Sequence, residues 1–509
     1  MFTQKDLTQI EAQHLTLNDV IHQIERYRLG TDHADVVTAA SIGNGIEVIS
    51  EGNQEALIHL YDRCKEDLDV VKFVPASGAA TRMFRFLHTF LNEYDPKKQS
   101  LSEFLKSDAD TKLVTFFDRI NSFPFINKVR KQIRKQFPDY KQSNKGERAV
   151  KLVTAMLKED GLGYENLPKG LIPFHKYKKF ARTAFEEQLY EGAWYAATQG
   201  ETRLHFTFSE AHVSKFKKRF EKIKSRLEKK AHTQFSISYS FQKPETNHIV
   251  LNEEDQPFRN EKGELVFRPS GHGALLDNLN DIDADIIFIK NIDNVAAAEY
   301  VDTIAAQKKM LAGKLLWIQQ KCFDYIKTIK RGDITDALRN EIKTFLWQQL
   351  NIKDMPVHLK DVVNLLNRPI RVCGVVKNTG APGGGPFWVK NRNGDLSVQI
   401  VETAQIDLSD AHQRTLVQDA THFNPVDIVC GVRDYEGNKF DLQAFVNPDT
   451  GFITTKTIDG QPVRVMERPG LWNGAMAHWN TSFVEVPIIT FNPVKNVNDL
   501  LQRTHRPNA

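Results

Sequence analysis

A short apolar run, Val71, Phe73 and Val74, leads into Pro75-Ala-Ser-Gly-Ala-Ala80, where every side chain but the proline is small. The run has the length and character of a buried strand, and Met83, Phe84, Phe86 and Leu87 begin a helix-period pattern beyond the loop. Strand, small-residue turn and helix start commit this part of the chain to an α/β layer. The turn lets backbone come close to a ligand. Free N–H groups and the helix dipole then favour an anion there, and Arg82 adds a planar charge able to grip a phosphate with two donors. Plain packing of strand on helix would also explain the turn.

The 509 residues are 41% hydrophobic and 26% charged, a globular balance with room for one large core and accessory layers. A net charge of +4 from 68 basic and 64 acidic residues does not argue for nucleic acid or a membrane surface. Cys64, Cys322, Cys373 and Cys430 show no Cys-x-x-Cys spacing and read as reduced thiols. With no apolar leader and no run near the roughly 20 residues of a membrane span, the chain is expected to be soluble and cytoplasmic.

Residues 1–70 read as an N-terminal helical layer, with Leu7, Ile10, Leu15, Val20, Ile21 and Ile24 at helical spacing up to Leu29-Gly30. Residues 71–495 read as the core, interrupted by a polar, basic, helical insertion at about 85–165, and 496–509 as a tail. The run Lys128–Lys135 and the lysines among Lys215–Lys224 read as solvated helix faces, with contact to nucleic acid the lesser alternative. Thr202–Ser209 and Phe235–Phe241 alternate as strands. Ile286-Ile-Phe-Ile289 is a buried-strand signal that ends in Asn291-Ile-Asp-Asn294. Ligands of open α/β sheets gather at the carboxyl ends of strands, so Asn291, Asp293 and Asn294 are placed for chemistry, or Asp293 simply caps the next helix.

Leu167-Pro-Lys-Gly-Leu-Ile-Pro173 and the later Arg182-Thr-Ala-Phe-Glu-Glu187 resemble a block of the sugar nucleotidyltransferases. Phe267-Arg-Pro-Ser-Gly-His-Gly273, Asn291–Asn294, Ile400-Val-Glu-Thr-Ala-Gln-Ile-Asp407 with His412, and Phe491-Asn-Pro-Val-Lys-Asn-Val-Asn-Asp-Leu-Leu501 narrow the resemblance to the UDP-sugar pyrophosphorylase family, as a divergent member. The resemblance implies a GT-A-like fold: a mixed, mostly parallel central sheet with helices on both faces. It implies transfer of a nucleotidyl group from a nucleoside triphosphate to a sugar 1-phosphate, with Mg²⁺ as cofactor. Carried over, Ser77, Gly78, Ala79, Ala80 and Thr81 would hold the nucleotide. Gln242, Gly271, His272 and Gly273 would face the base. Arg82, Lys169 and Lys495 would hold phosphates, Asp293 the metal, and Asn291 and Glu402 the sugar. Ser77 and Ala80 stand where that family has glycine, and the Arg82–Lys169 spacing is long, as an insertion requires.

The chemistry suits these residues. A phosphate monoester is largely dianionic at neutral pH, its second pKa lying near ~6, so its attack on an α-phosphorus needs positive charge and alignment rather than a base. No His-Glu-x-x-His, Gly-x-Ser-x-Gly or Walker loop is present. The glycine-rich Asn378–Phe387, with Gly384 and Gly385, is either a backbone clamp over a sugar or a long turn. Leu471-Trp-Asn-Gly-Ala-Met-Ala-His-Trp-Asn480 is either an aromatic corner of the core or a sugar face. Two other functions remain open: an inactive nucleotide- or sugar-binding regulator of the same fold, and a protein- or RNA-binding scaffold built on the basic insertion.

Overall fold

Ile286–Ile289 forms the strand that its four consecutive apolar residues predict, and all four are buried. It lies in a computed structural model that describes residues 2–78, 80–107, 111–380 and 383–507. Two units divide the chain: Met1–Phe73 with Ser240–Ile289 and Lys308–Ile488, and Val74–Tyr239 with Lys290–Gln307 and Ile489–Ala509.

In the first unit the strands run in the order Asn480–Glu485, Ile370–Val375, Asp427–Gly431, Ile286–Ile289, then the part of strand Val70–Pro75 up to Phe73. The two outer ladders are parallel, and Asp427–Gly431 runs against both its neighbours, so the sheet is mixed. Side chains two apart share a face of a strand. Val71 and Phe73, Ile287 and Ile289, Cys373 and Val375, and Ile428 and Cys430 accordingly enter one core with Leu275, Leu276, Leu279, Trp388 and Phe483. On the opposite face Phe288 meets Tyr61 of helix Glu51–Cys64 edge-on at 6.0 Å. Leu311 and Leu315 of the long helix Val301–Arg331 lie there against Gly374 and Gly431.

Helices α1 (Gln4–Ala12) and α2 (Leu17–Leu29) each begin on a threonine capping box, Thr3 with Asp6 and Thr16 with Asp19. Ile10, Leu15, Val20, Ile24 and Tyr27 pack on Ile249, Leu251, Leu265 and Met466. The helical reading of residues 1–70 fails at 35–46, where short strands form and Asp35–Ala39 pairs antiparallel with Gly385–Lys390. Val36, Val37 and Thr38 are β-branched and favour that outcome.

In the second unit, strand Glu201–Phe208 lies between Ala197–Thr198 and Gln234–Phe241. Helix Glu210–Ala231 buries Phe216, Phe220, Ile223 and Leu227 and leaves Lys215, Lys217, Lys218 and Lys222 exposed. The insertion is helical as expected. Helix Ile126–Gln136 exposes Lys128, Arg130, Lys131, Arg134 and Lys135 and buries Val129 and Ile133. Its core is aromatic: Phe116 meets Phe123, Phe123 stacks on Phe125, Phe125 meets Tyr164, and Tyr164 stacks on Phe84. The four cysteines are free. Among the described residues no helix is long and apolar enough to cross a membrane.

Candidate functional site

The opening strand passes through its small-residue loop into a 3-10 turn, Ala80–Phe84, and only then into the α-helix Arg85–Glu93. Ser77, Gly78, Thr81 and Arg82 are exposed, and Ala79 lies outside the described residues. The Ala80 N–H donates to the Leu167 carbonyl at 2.9 Å, and the Gly78 carbonyl accepts the Lys169 N–H at 3.3 Å. The Thr81 hydroxyl donates to the Glu165 carbonyl at 3.2 Å. The loop is therefore tied to residues 165–169, and one of the N–H groups expected to meet an anion is engaged by the protein itself.

Lys169 stands in a short 3-10 turn directly after Pro168. Its ammonium donates to Asp293 Oδ2 at 2.7 Å and to the Val494 carbonyl at 2.7 Å. Both side chains of this ion pair keep some exposure, 16% for Lys169 and 19% for Asp293. Asn294 Oδ1 accepts the Asn492 N–H at 2.7 Å, which seats the segment before Lys495 on the segment after Ile286–Ile289. Lys495 is exposed, and its N–H donates to Asp499 Oδ2 at 2.7 Å. Val486, Ile488, Ile489 and Phe491 have the apolar spacing of a strand, yet Asn480–Glu485 is the strand and Ile488–Thr490 is a 3-10 turn. Pro487, which has no N–H to give a ladder, separates the two. The Asn291 carbonyl accepts from the Gln188 amide at 2.8 Å.

A buried network in the same unit escaped the sequence reading. Glu187 accepts from Tyr177 Oη at 2.7 Å and from Arg182 at 3.0 Å, and its other close neighbour is His175 Nδ1 at 3.0 Å. Burial pushes this carboxyl up, but His175, Arg182 and Tyr177 outweigh it and hold it low. The Arg182 guanidinium lies over the Tyr177 and Tyr190 rings at 4.7 and 4.1 Å. The one local signal was the Arg182 to Glu187 spacing at a helix start.

In the first unit, three other stretches of the sequence converge on Glu402. His272 Nδ1 accepts the Leu471 N–H at 3.0 Å, so the ring proton is on Nε2, which donates to Glu402 Oε1 at 3.0 Å. The Asn473 amide donates to the same oxygen at 3.1 Å. Trp472 stacks on the His272 ring at 4.3 Å with an 18° tilt. Burial pushes the Glu402 carboxyl up, yet the hydrogen bonds from His272 and the Asn473 amide overcome it and hold it below the ordinary range. A Cβ on Gly384 would stand 2.7 Å from the Glu402 Cα, and one on Gly273 would strike the Pro469 carbonyl oxygen. Gly271 has φ 78°, and Gly385 opens a strand against Leu396–Val401. The Gln242 amide donates to Thr246 Oγ1 at 3.2 Å, within its own loop.

Among the described residues no group of three or more His, Cys, Asp and Glu side chains is placed to hold a metal ion. Asp293 is the carboxylate that meets the Lys169 ammonium, and Asp499 stands by the Lys495 N–H in the same unit. A magnesium ion commonly takes one or two protein carboxylates and completes its shell with phosphate and water, and Asp293 is the residue with the chemistry to supply one.

A family model described as "Domain of unknown function (DUF4301)" matches residues 3–506. No curated protein matches. Among solved structures, a UDP-N-acetylglucosamine pyrophosphorylase from Trypanosoma brucei is similar at 11% identity, over 95% of this chain and 74% of that one, with a TM-score of 0.47. A UDP-glucose phosphorylase from the same organism is similar at 13% identity, over 98% and 77%, with a TM-score of 0.47. A mutant UDP-glucose pyrophosphorylase from Leishmania major, in complex with UDP-glucose, is similar at 12%, over 99% and 79%, with a TM-score of 0.44. Fold alone does not set chemistry, so the residues have to carry it.

Proposed function

We propose that this chain, which belongs to the DUF4301 family, transfers a nucleotidyl group from a nucleoside triphosphate to a sugar 1-phosphate and releases pyrophosphate. The observation that carries the reading is the Lys169 ammonium, 2.7 Å from both Asp293 Oδ2 and the Val494 carbonyl. With the main-chain bonds from Ala80 to Leu167 and from Lys169 to Gly78, it joins those residues to Asp293 and Val494 within one unit. Those are the blocks that nucleotidyl transfer would need there.

In this reading an oxygen of the sugar 1-phosphate attacks the α-phosphorus, and the bond from that phosphorus to the bridging oxygen of the β-phosphate breaks. Arg82, Lys169 and Lys495 supply the positive charge that two mutually repelling anions require. Ser77, Gly78, Ala79, Ala80 and Thr81 line the nucleotide. Asp293 would hold Mg²⁺, which when bound neutralises phosphate charge. In the other unit, taken by itself, Glu402 is ionised at neutral pH, and His272 and Asn473 hold it ready to accept from a ligand hydroxyl. Gly384 and Gly385 are assigned to that same ligand, and Gln242, Gly271 and Gly273 to a base within that unit.

A pyrophosphate-release screen of four nucleoside triphosphates against a set of sugar 1-phosphates, with Mg²⁺, tests the proposal. One productive pair is expected, and silence across the whole set would overturn it. A second reading has its own support, because the Ala80 N–H is spent on Leu167 and Lys169 occupies Asp293. In that reading the chain binds nucleotide or sugar without turnover. Calorimetry separates the two: the regulator binds a nucleotide with or without Mg²⁺ and releases no pyrophosphate.

A further inference from the structure

Two basic helix faces meet in the second unit. Helix Glu210–Ala231 carries nine basic and three acidic residues, and helix Ile126–Gln136 five basic and none acidic. The whole chain has a net charge of only +4. In helix Glu210–Ala231, Lys215, Arg219, Lys222, Arg226 and Lys230 stand at helical spacing, so they share one face. Glu210, Glu221 and Glu228 fall on the other side, where the Glu228 carboxylate accepts the Phe235 N–H at 3.2 Å. The stripe therefore has no acid of its own.

Side-chain contacts tie the stripe to its neighbours. Arg219 donates to Glu186 Oε2 at 2.6 Å, and Arg226 stands 3.7 Å from Oε1 of the same carboxylate. Glu186 is 2% exposed, so it anchors the two guanidinium groups from below. Desolvation, then the charge of Arg219, pushes the Lys128 ammonium below its ordinary range, with Lys222 adding to the effect and Glu186 opposing it. Lys128 thus lies beside the stripe and, with Lys131 and Lys135 at helical spacing, carries it onto helix Ile126–Gln136; all three are exposed.

Arg226 also leads to the tip of the hairpin between Pro173–Lys176 and Ala181–Thr183, which reads Tyr177-Lys-Lys-Phe180. Lys178 and Lys179 are exposed there, and the Phe180 side chain is 36% exposed. The Arg226 guanidinium lies 4.8 Å from the Phe180 ring centre.

We propose that this face is a docking surface for single-stranded nucleic acid. The phosphates follow the basic residues from Lys128 past Lys222 to Arg226, and an unpaired base stacks on the platform of Phe180 and Arg226. Like charges along one helix face repel each other in the free protein, and a line of phosphates turns that repulsion into attraction and releases counterions. An exposed ring beside a guanidinium offers a stacking partner to an unpaired base, whereas a duplex keeps its bases stacked on one another. A bilayer suits the face less, because Phe216, Phe220, Ile223 and Leu227 are buried and leave the helix nothing apolar to insert. The surface does not depend on the transferase reading, and a chain inactive in pyrophosphate release would still carry it.

Fluorescence anisotropy of the full chain with a labelled RNA single strand tests the proposal, alongside its duplex, poly-glutamate and phosphatidylserine vesicles. The single strand should bind more tightly than the duplex, and raising salt from about 50 to 200 mM should weaken it by roughly tenfold or more. Lys128→Glu combined with Lys222→Glu should weaken it by about tenfold or more at the lower salt. Phe180→Ala should weaken it by about fivefold or more and keep the salt dependence. All of these positions are exposed, so cooperative thermal transitions should be retained. Arg82→Ala, in the proposed nucleotide loop, should leave the affinity unchanged. The proposal is overturned if the single strand does not bind at the lower salt, if the duplex binds more tightly, or if either surface variant binds as the parent does. It is equally overturned if Arg82→Ala abolishes binding, or if poly-glutamate or the vesicles bind more tightly than the strand.

Discussion

Lys169 is the residue on which the phosphate cluster turns, because one ammonium meets a carboxylate and a main-chain carbonyl that reach it from distant parts of the chain. Lys169→Ala should lower turnover on the identified substrate by roughly 10²–10³-fold, the size of losing one preorganised donor. Lys169→Arg should restore only part, since a planar fork does not replace a compact ammonium. Asp293→Ala should abolish Mg²⁺-dependent turnover and cost about 1.5–3 kcal/mol in denaturant melts through the lost charged hydrogen bond. Normal Mg²⁺-dependent activity in that variant would reduce Asp293 to a partner for Lys169. Glu402 makes a pH prediction. Its carboxyl is held below the ordinary 4.5 in the fold, burial being outweighed by His272 and Asn473. A group lowered in this way stabilises the native state above its unfolded pKa and loses that contribution as pH falls through the folded value. Acid should therefore loosen the His272 contact only below pH 4.5. Tryptophan fluorescence should report it through Trp472, and the same step should be missing in Glu402→Gln.

At the scale of elements, the readable parts were those whose period was unambiguous. Ile286–Ile289 announced itself by four apolar residues in a row, and helix Glu210–Ala231 by Phe216, Phe220, Ile223 and Leu227 at helical spacing. Pattern failed where it competed with backbone chemistry. Val486, Ile488, Ile489 and Phe491 look like a strand, yet Pro487 cannot donate to a ladder and the segment turns instead. Residues 35–46 were absorbed into a helical layer because the stretches on either side are amphipathic, although Val36, Val37 and Thr38 favour a strand. Contacts between the candidate residues were not legible in the sequence. His272 and Glu402 could be named from resemblance, whereas the bond between them spans 130 positions. Two elements give sharp tests. Gly273→Ala would drive a methyl group into the Pro469 carbonyl, so it should lower the melting temperature and weaken whatever the His272 turn binds. Tyr27 Oη donates to the Ile249 carbonyl at 2.8 Å and accepts the Met466 N–H at 2.6 Å. Tyr27→Phe leaves both buried groups unpaired and should cost about 1–3 kcal/mol, read as a shift in the urea midpoint.

At the scale of the whole molecule, the chain crosses between its units at 73/74, 239/240, 289/290, 307/308 and 488/489, so neither unit is one continuous piece. No local pattern announces such crossings, which is why a sequence-ordered division into layer, core and tail differs from the units that form. A fragment of residues 74–239 holds most of the second unit but lacks its partners from 290–307 and 489–509. Glu191, 2% exposed, would lose the Lys290 ammonium that meets it at 2.8 Å. Lys169 would lose Asp293 and the Val494 carbonyl together, and His175 would lose the His505 ring at 2.9 Å. Breaking one buried ion pair costs about 3–5 kcal/mol, against a total domain stability of about 5–15 kcal/mol. The aromatic core of the insertion stays within the fragment, so collapse and helix should survive while fixed packing does not. The expected result is helical far-UV circular dichroism with flattened near-UV bands and no cooperative urea transition. A sharp two-state melt of the 74–239 fragment would show that the returning segments are dispensable to the fold, and that the Lys169 cluster is assembled on a unit already stable without it.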